Sequence, residues 1–423
     1  FIIFSVVLVW LYMCEDTVMK LFHQLLVAPV ALGLLAPIAA NASETINLEE
    51  MNGYSRKTKK PSFRSFNYNS FDNNVNKDLA STKTRTDALK ANQNNFEAGG
   101  FSDTTVASQT ASFLLSAAEG NELYDDSEAF MLMYYYGISL DTSFNGDDNL
   151  NVVIETGNTE SGVNTSTSEI LDFGSQNADE LKVVDVNYTR SFGDLSLTVG
   201  DSLDASSQFA GACAYSGFTD HLADCGTGLS AGIGGDVSLS ASYDFGNGLV
   251  AGFGATGAEG SSSKGLFTEE SVDGYAAQLA YNSDSYGVAV TYAELDSNDA
   301  TGLLIGVTQD TTLWGLNGYY NLDSFYVDSI SVGYEIGDPE TGDETSNWFA
   351  GLTSAEVGPG VFNVGIGTTG QLTEAAEETL IKEASYSFDV SDSQAMTVGV
   401  FAKEQSGGMD NFTGVAMSTT FSF

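Results

Sequence analysis

Histidine is almost missing from this chain. Only His23 and His221 occur in 423 residues. A nucleophilic hydrolase needs a histidine beside a serine or aspartate, and His23 falls in a segment expected to be removed. One loop histidine is ordinarily a surface residue, so enzymatic function is not expected. Basic side chains are also scarce, 15 against 57 acidic ones, for a net charge of −42. Phosphate backbones would be repelled, which argues against nucleic acid as a partner. No run after residue 42 is long and apolar enough for a transmembrane helix. "GAEGSSSKG" at 257–265 has glycines and a lysine but lacks the Gly-Lys-Ser/Thr order of a phosphate loop. The scattered carboxylates lack the ligand spacing of an EF-hand, so no metal or cofactor is expected.

Cysteine is limited to Cys14, Cys213 and Cys225. Cys14 belongs to the segment expected to be absent from the mature protein. In an oxidising compartment Cys213 and Cys225 would close a small loop, worth roughly 3 kcal/mol in the chain-entropy model. Two separate buried thiols are the other reading.

What is present divides the chain in three. Residues 1–42 read as an upstream extension followed by a secretory signal: Met19-Lys20, an apolar run from Leu21 to Ala39, then Ala40-Asn41-Ala42 with small residues at −3 and −1. An uncleaved anchor is the competing reading, disfavoured by Pro29 and Pro37. Residues 43–100 carry Asn, Ser and nine of the basic residues without strand periodicity, and read as a periplasmic tether. Its basic cluster, Arg56 to Arg64, could touch an anionic wall polymer, but a plain solvated linker is the favoured reading.

From 101 to 423 the pattern is alternation broken by turns. Val237, Leu239, Ala241, Tyr243 and Phe245 alternate with Ser238, Ser240, Ser242 and Asp244. Gly246-Asn247-Gly248 follows, and the chain returns through Leu249, Ala251, Phe253 and Ala255. Such a unit is a hairpin with one apolar and one polar face. About sixteen such arms are expected, most of them the 9–11 residues a tilted strand needs to cross a bilayer. The last, Asn411–Phe423, puts Val415, Met417, Thr419, Phe421 and Phe423 on one parity, expected to face lipid. It is expected to pair with the first arm. The connections alternate short and long, with longer loops at 119–129, 158–179, 203–230, 258–271, 296–310, 338–345, 370–378 and 405–410. This is the signature of a transmembrane antiparallel β-barrel with an even strand count and periplasmic ends. Aromatics near the arm ends, among them Tyr134 to Tyr136, Phe192, Phe245, Tyr281, Tyr286, Trp314, Tyr319, Tyr320, Trp348, Phe388 and Phe423, suit interfacial girdles.

The signal "MKLFHQLLVAPVALGLLAPIAANA", the stretch "YYYGISLDTSFNGDDNLNVVIETGN" and the glycine-rich run from Gly211 to Gly265 resemble marine cyanobacterial outer-membrane porins. These are similar to the carbohydrate-selective porin family. The resemblance covers the signal and nearly all of 95–423. It implies passive passage of small hydrophilic solutes, carbohydrates and inorganic ions, through the outer membrane, and assembly as a homotrimer. Residues 43–95 are too short for the surface-layer-homology domain such porins usually carry.

Barrels of this size enclose an aqueous lumen. Asp185, Asn187, Ser240 and Gln278, on the polar parity, are expected to line it. The third long loop, 203–230, folds inward in many general porins. Here it would bring Asp204, Asp220, His221 and Asp224 to a constriction, braced by Cys213–Cys225; an outward surface loop is the alternative. The acidity predicts a preference for cations. A second class of function is structural, a barrel fastening the membrane to the wall with little transport.

Overall fold

The computed structural model describes residues 104–423, except 121–129, 160–169, 172, 174–176, 259, 269–270, 297–308, 323–325, 371, 374–377 and 407–410. The expected signal and tether lie outside the described residues. Sixteen long strands follow one another. They are β1 Thr105–Glu119, β2 Met131–Thr142, β3 Asp148–Gly157, β4 Lys182–Phe192, β5 Leu195–Asp201, β6 Val237–Gly246, β7 Leu249–Gly257 and β8 Asp273–Asn282, then β9 Tyr286–Leu295, β10 Thr311–Asn321, β11 Val327–Pro339, β12 Thr345–Ser354, β13 Gly360–Thr368, β14 Leu380–Ser391, β15 Gln394–Lys403 and β16 Phe412–Ser422. A two-residue ribbon, Leu372–Thr373, adds to the edge of β12.

Each strand pairs antiparallel with its neighbours in sequence, and β1 also pairs with β16 from Thr110↔Ser422 to Glu119↔Thr413. Gln109 and Phe423 exchange two backbone hydrogen bonds, at 2.8 and 3.0 Å, at the end of that seam. The sheet is a closed barrel, so no edge is left with open backbone groups.

Alternation sorts the side chains. In β10, Leu313, Gly315 and Asn317 point inward and are buried, while Trp314 and Leu316 point outward at 55% and 50% exposure. The same holds for Leu279 and Ile330, and for Val288 and Val290, so the outside of β6 to β11 is one apolar belt. A surface of that extent suits acyl chains and not water. On β16 the outward positions Val415 and Met417 are buried instead, so this strand does not expose the apolar face expected of it.

Short turns lie at one end. Asn247-Gly248 joins β6 to β7 with φ of 55° and 85°, both in the left-handed region that a two-residue hairpin turn requires. The expected alternation of short and long connections fails at one place. The 340–344 connection has five residues, because β11 runs on to Pro339. Two aromatics expected in a girdle are interior. Tyr135 donates to Glu155 Oε1 at 2.7 Å, and Tyr319 donates to the Ser283 carbonyl at 2.8 Å. Their parity in the strand, not their nearness to its end, decides this.

Candidate pore interior

The long connection between β5 and β6, residues 202–236, lies inside the barrel. It contains two one-turn helices, α1 Asp220–Ala223 and α2 Gly228–Ala231. Its course is recorded by what it touches on the wall. Gln208 donates its backbone N–H to Ser240 Oγ and its side-chain amide to Thr198 Oγ1. Gly211 N–H donates to Gln278 Oε1 at 2.9 Å, and Asn282 Nδ2 donates to the Gly211 carbonyl at 2.8 Å. Ala214 N–H reaches Ser331 Oγ at 3.0 Å. The loop therefore crosses the lumen from β5 and β6 past β8 to β11.

Its far point is held by one carboxylate. Glu383, on β14, is fully buried. Its Oε1 accepts from Tyr215 Oη at 2.7 Å and from Phe218 N–H at 2.6 Å. Its Oε2 accepts from Thr219 N–H at 2.6 Å and from Thr219 Oγ1 at 2.5 Å. The return leg is held by Glu335 on β11, whose Oε2 accepts from Ser230 N–H at 2.7 Å, and by Asn317, which donates to Thr227 Oγ1. Charge-assisted bonds of this kind are roughly twice as strong as neutral ones.

Glycines on the wall make room for the loop. A Cβ on Gly333 would stand 1.7 Å from the Cys225 carbonyl oxygen, so only glycine lets the loop lie this close. Phe218 packs over Gly399, and Tyr215 over Gly351 and Gly365. Apolar packing completes the seat. Tyr215, Phe218 and Leu222 cluster with Ile170, Leu171 and Phe173 of the 158–181 connection, and with Leu114, Phe349 and Phe401 of the wall. A second cluster joins Phe209 and Ile233 to Ala276, Ala293 and Leu313.

Cys213 and Cys225 are joined as a disulfide, with Cα atoms 6.3 Å apart, linking the two legs of the loop. Asp204 forms an isolated antiparallel bridge with Gly234 where the loop begins and ends. Asp220 and His221 open α1, and Asp224 follows it. Burial first, then the Lys403 ammonium, pushes the His221 pKa down to about 4, against a bond to the Thr369 backbone. The imidazole is therefore neutral at ordinary pH.

Asp185, Asn187, Ser240 and Gln278 are all buried. Ser240 and Gln278 are engaged by the loop, and Gln278 also donates to Thr291 at 3.0 Å. Asp185 and Asn187 lie on β4, two strands from Ser240, where Asn187 Nδ2 donates to Asp185 Oδ2 at 2.8 Å. There they join side chains that parity alone had not singled out. Asp141 Oδ1 on β2 accepts from Asn149 and from Asn151 of β3, both at 2.9 Å. Ser139 donates to Asp141 Oδ2 at 3.4 Å, and Asn187 to Asn151 Oδ1 at 3.4 Å. Glu335, Glu383 and Asp141 share one sequence signal. Each is a carboxylate inside an alternating strand, on the same parity as serine or glycine.

No family model matches the chain, and no curated protein matches it. Among solved structures, a loop-deletion mutant of OmpT, an outer membrane protein of Vibrio cholerae, aligns with a TM-score of 0.53 at 12% identity, covering 76% of this chain and 99% of that one. A triple mutant of Rhodopseudomonas blastica porin aligns with a TM-score of 0.47 at 10% identity, covering 75% of this chain and 100% of that one. The likeness to the Vibrio protein is one of fold: the chain is a closed antiparallel barrel of sixteen long strands.

Proposed function

We propose that this protein is an outer-membrane porin, a water-filled channel through which small hydrophilic solutes diffuse passively, with cations favoured. The observation that carries the reading is the sorting of side chains by one closed sheet. Outside is an apolar belt with Trp314 and Leu316 half exposed; inside is a polar wall narrowed by a loop held at Glu383. A charged, narrowed throat is how such a hole selects. Asp204, Asp220 and Asp224 of that loop add negative charge to it. Carbohydrates and inorganic ions are the solute classes, and the barrel works as a homotrimer. The end of the barrel that carries the long connections is the one away from the periplasm.

The apolar packing of Ile170, Leu171 and Phe173 against Phe218 and Leu222 favours a second reading. A barrel filled on that side could serve mainly to hold the membrane. Liposome swelling with sugars of rising size separates the two. A porin gives swelling rates that fall with sugar size, whereas a filled barrel gives none above empty liposomes.

A further inference from the structure

The channel reading leaves open where in the lumen an ion passes and which side chain it meets. We infer that the ion path runs along the hydrogen-bonded ladder of β2, β3 and β4, and that Asp141 is the carboxylate that sets cation over anion selectivity. This inference rests on the channel reading and deepens it.

Three observations converge. First, the acidic side chains elsewhere on the inner wall already have structural work. Glu383 and Glu335 are completely buried and take the loop's donors, and Glu155 is buried and bonded by Tyr135. A carboxylate in that condition cannot meet a hydrated ion. Asp141 is partly exposed.

Second, the interior is filled unevenly. The loop is fixed to β5, β6, β8, β10, β11 and β14 by the bonds described above, and apolar clusters pack it against β1, the loop-side half of β2, β12 and β14 to β16, and against β8 to β10. Apolar packing excludes water, and a hydrated ion needs water or polar partners throughout its path. The turn-side half of β2 to β4 offers such partners: Ser139, Asp141, Asn149, Asn151, Asn187 and Asp185, bonded to one another across three strands.

Third, the ladder holds its charge in place. Two asparagine amides donate to the same Asp141 oxygen, which fixes the orientation of the carboxylate. The ladder itself contains two carboxylates and no cation. Lys182, at the loop end of β4, is paired with Glu180 at 3.3 Å.

The test uses the full protein in planar bilayers under a KCl gradient. Asp141→Asn keeps the shape and removes the charge. One unit charge about 4 Å from an ion in water is worth about 1 kcal/mol, so the potassium-to-chloride permeability ratio should fall about fivefold. Single-channel conductance should stay within about twofold. Asp141→Lys should move the reversal potential further in the same direction. Glu340→Gln, at the rim, should leave it unchanged. Normal channel steps with the wild-type reversal potential in both Asp141 variants would overturn the inference and leave the porin reading standing. Absence of any steps from wild-type protein would overturn both. If Asp141→Asn fails to give a heat-modifiable folded band, Asn149→Ala and Asn151→Ala, which free the carboxylate without removing it, should keep cation preference while broadening the current noise. Loss of preference in that pair would count against Asp141.

Discussion

Glu383→Ala tests whether one carboxylate holds the inward loop. In the native protein Glu383 takes four hydrogen bonds, two on each oxygen, from Tyr215, Phe218 and Thr219. Truncation leaves four donors facing an apolar hole, and two of them are backbone N–H groups with nowhere to turn. Bonds to a charged group contribute roughly 1.5–3 kcal/mol each, and leaving a buried donor unsatisfied costs roughly 1–3 kcal/mol. The hydroxyls of Tyr215 and Thr219 can rotate toward other acceptors, so only the two amides carry the full loss. The loop's hold should weaken by about 3–5 kcal/mol, in the range of breaking a buried charged pair. Hydrogen exchange reads this directly, because local opening exposes an amide in proportion to its opening free energy. The Phe218 and Thr219 amides should exchange at least about 100-fold faster, since 1.4 kcal/mol is a factor of about ten. The β1–β16 seam, on Ser116 and Ala416, should keep its protection. Glu383→Gln should fall between, because either oxygen it replaces meets two donors. Protection factors at 218 and 219 within threefold of wild type in Glu383→Ala would refute the reasoning.

Reducing the Cys213–Cys225 bond, or replacing both cysteines with serine, should lower loop stability by about 3 kcal/mol and change single-channel conductance; an identical conductance histogram would show that the disulfide does not shape the throat. Gly333→Ala should displace the loop at Cys225, because the new methyl overlaps its carbonyl, and conductance should shift while the barrel still folds. His221 has its folded pKa pushed below the unfolded value, so the unfolded chain binds more protons between pH 6.5 and about 4. Stability from this group is complete above pH 6.5 and is lost as pH falls to about 4, by up to about 3 kcal/mol; heat-modifiability midpoints should show this slope in wild type and not in His221→Gln. Leu316→Arg places a charge in the middle of the apolar belt and should cost about 2–4 kcal/mol of folding in lipid. Trp314 fluorescence should be quenched by brominated lipid; its insensitivity would mean that the belt does not meet acyl chains.

Much of the fold was legible because a barrel strand writes its two environments into alternate positions. Ser238, Ser240 and Ser242 between Val237, Leu239 and Ala241 announce a wall with one wet and one apolar face, and Asn247-Gly248 announces the turn that folds it back. Tyr135 and Tyr319 were misplaced for the same reason in reverse. Nearness to a strand end suggested an interface, but parity turned both rings inward. The site was less legible. Asp185, Asn187, Ser240 and Gln278 could be put on the inner face, yet nothing in their spacing says which of them the loop would occupy.

Local alternation and turn chemistry, which need only neighbouring residues, set the strand count, the inner and outer faces and the antiparallel order. The loop's path was decided by contacts between residues far apart in the chain. Glu383 lies 164 residues from Thr219, and Cys225 rests on Gly333. Such pairings exist only after the sheet has closed, because closure is what brings opposite walls within reach of one thirty-five-residue segment.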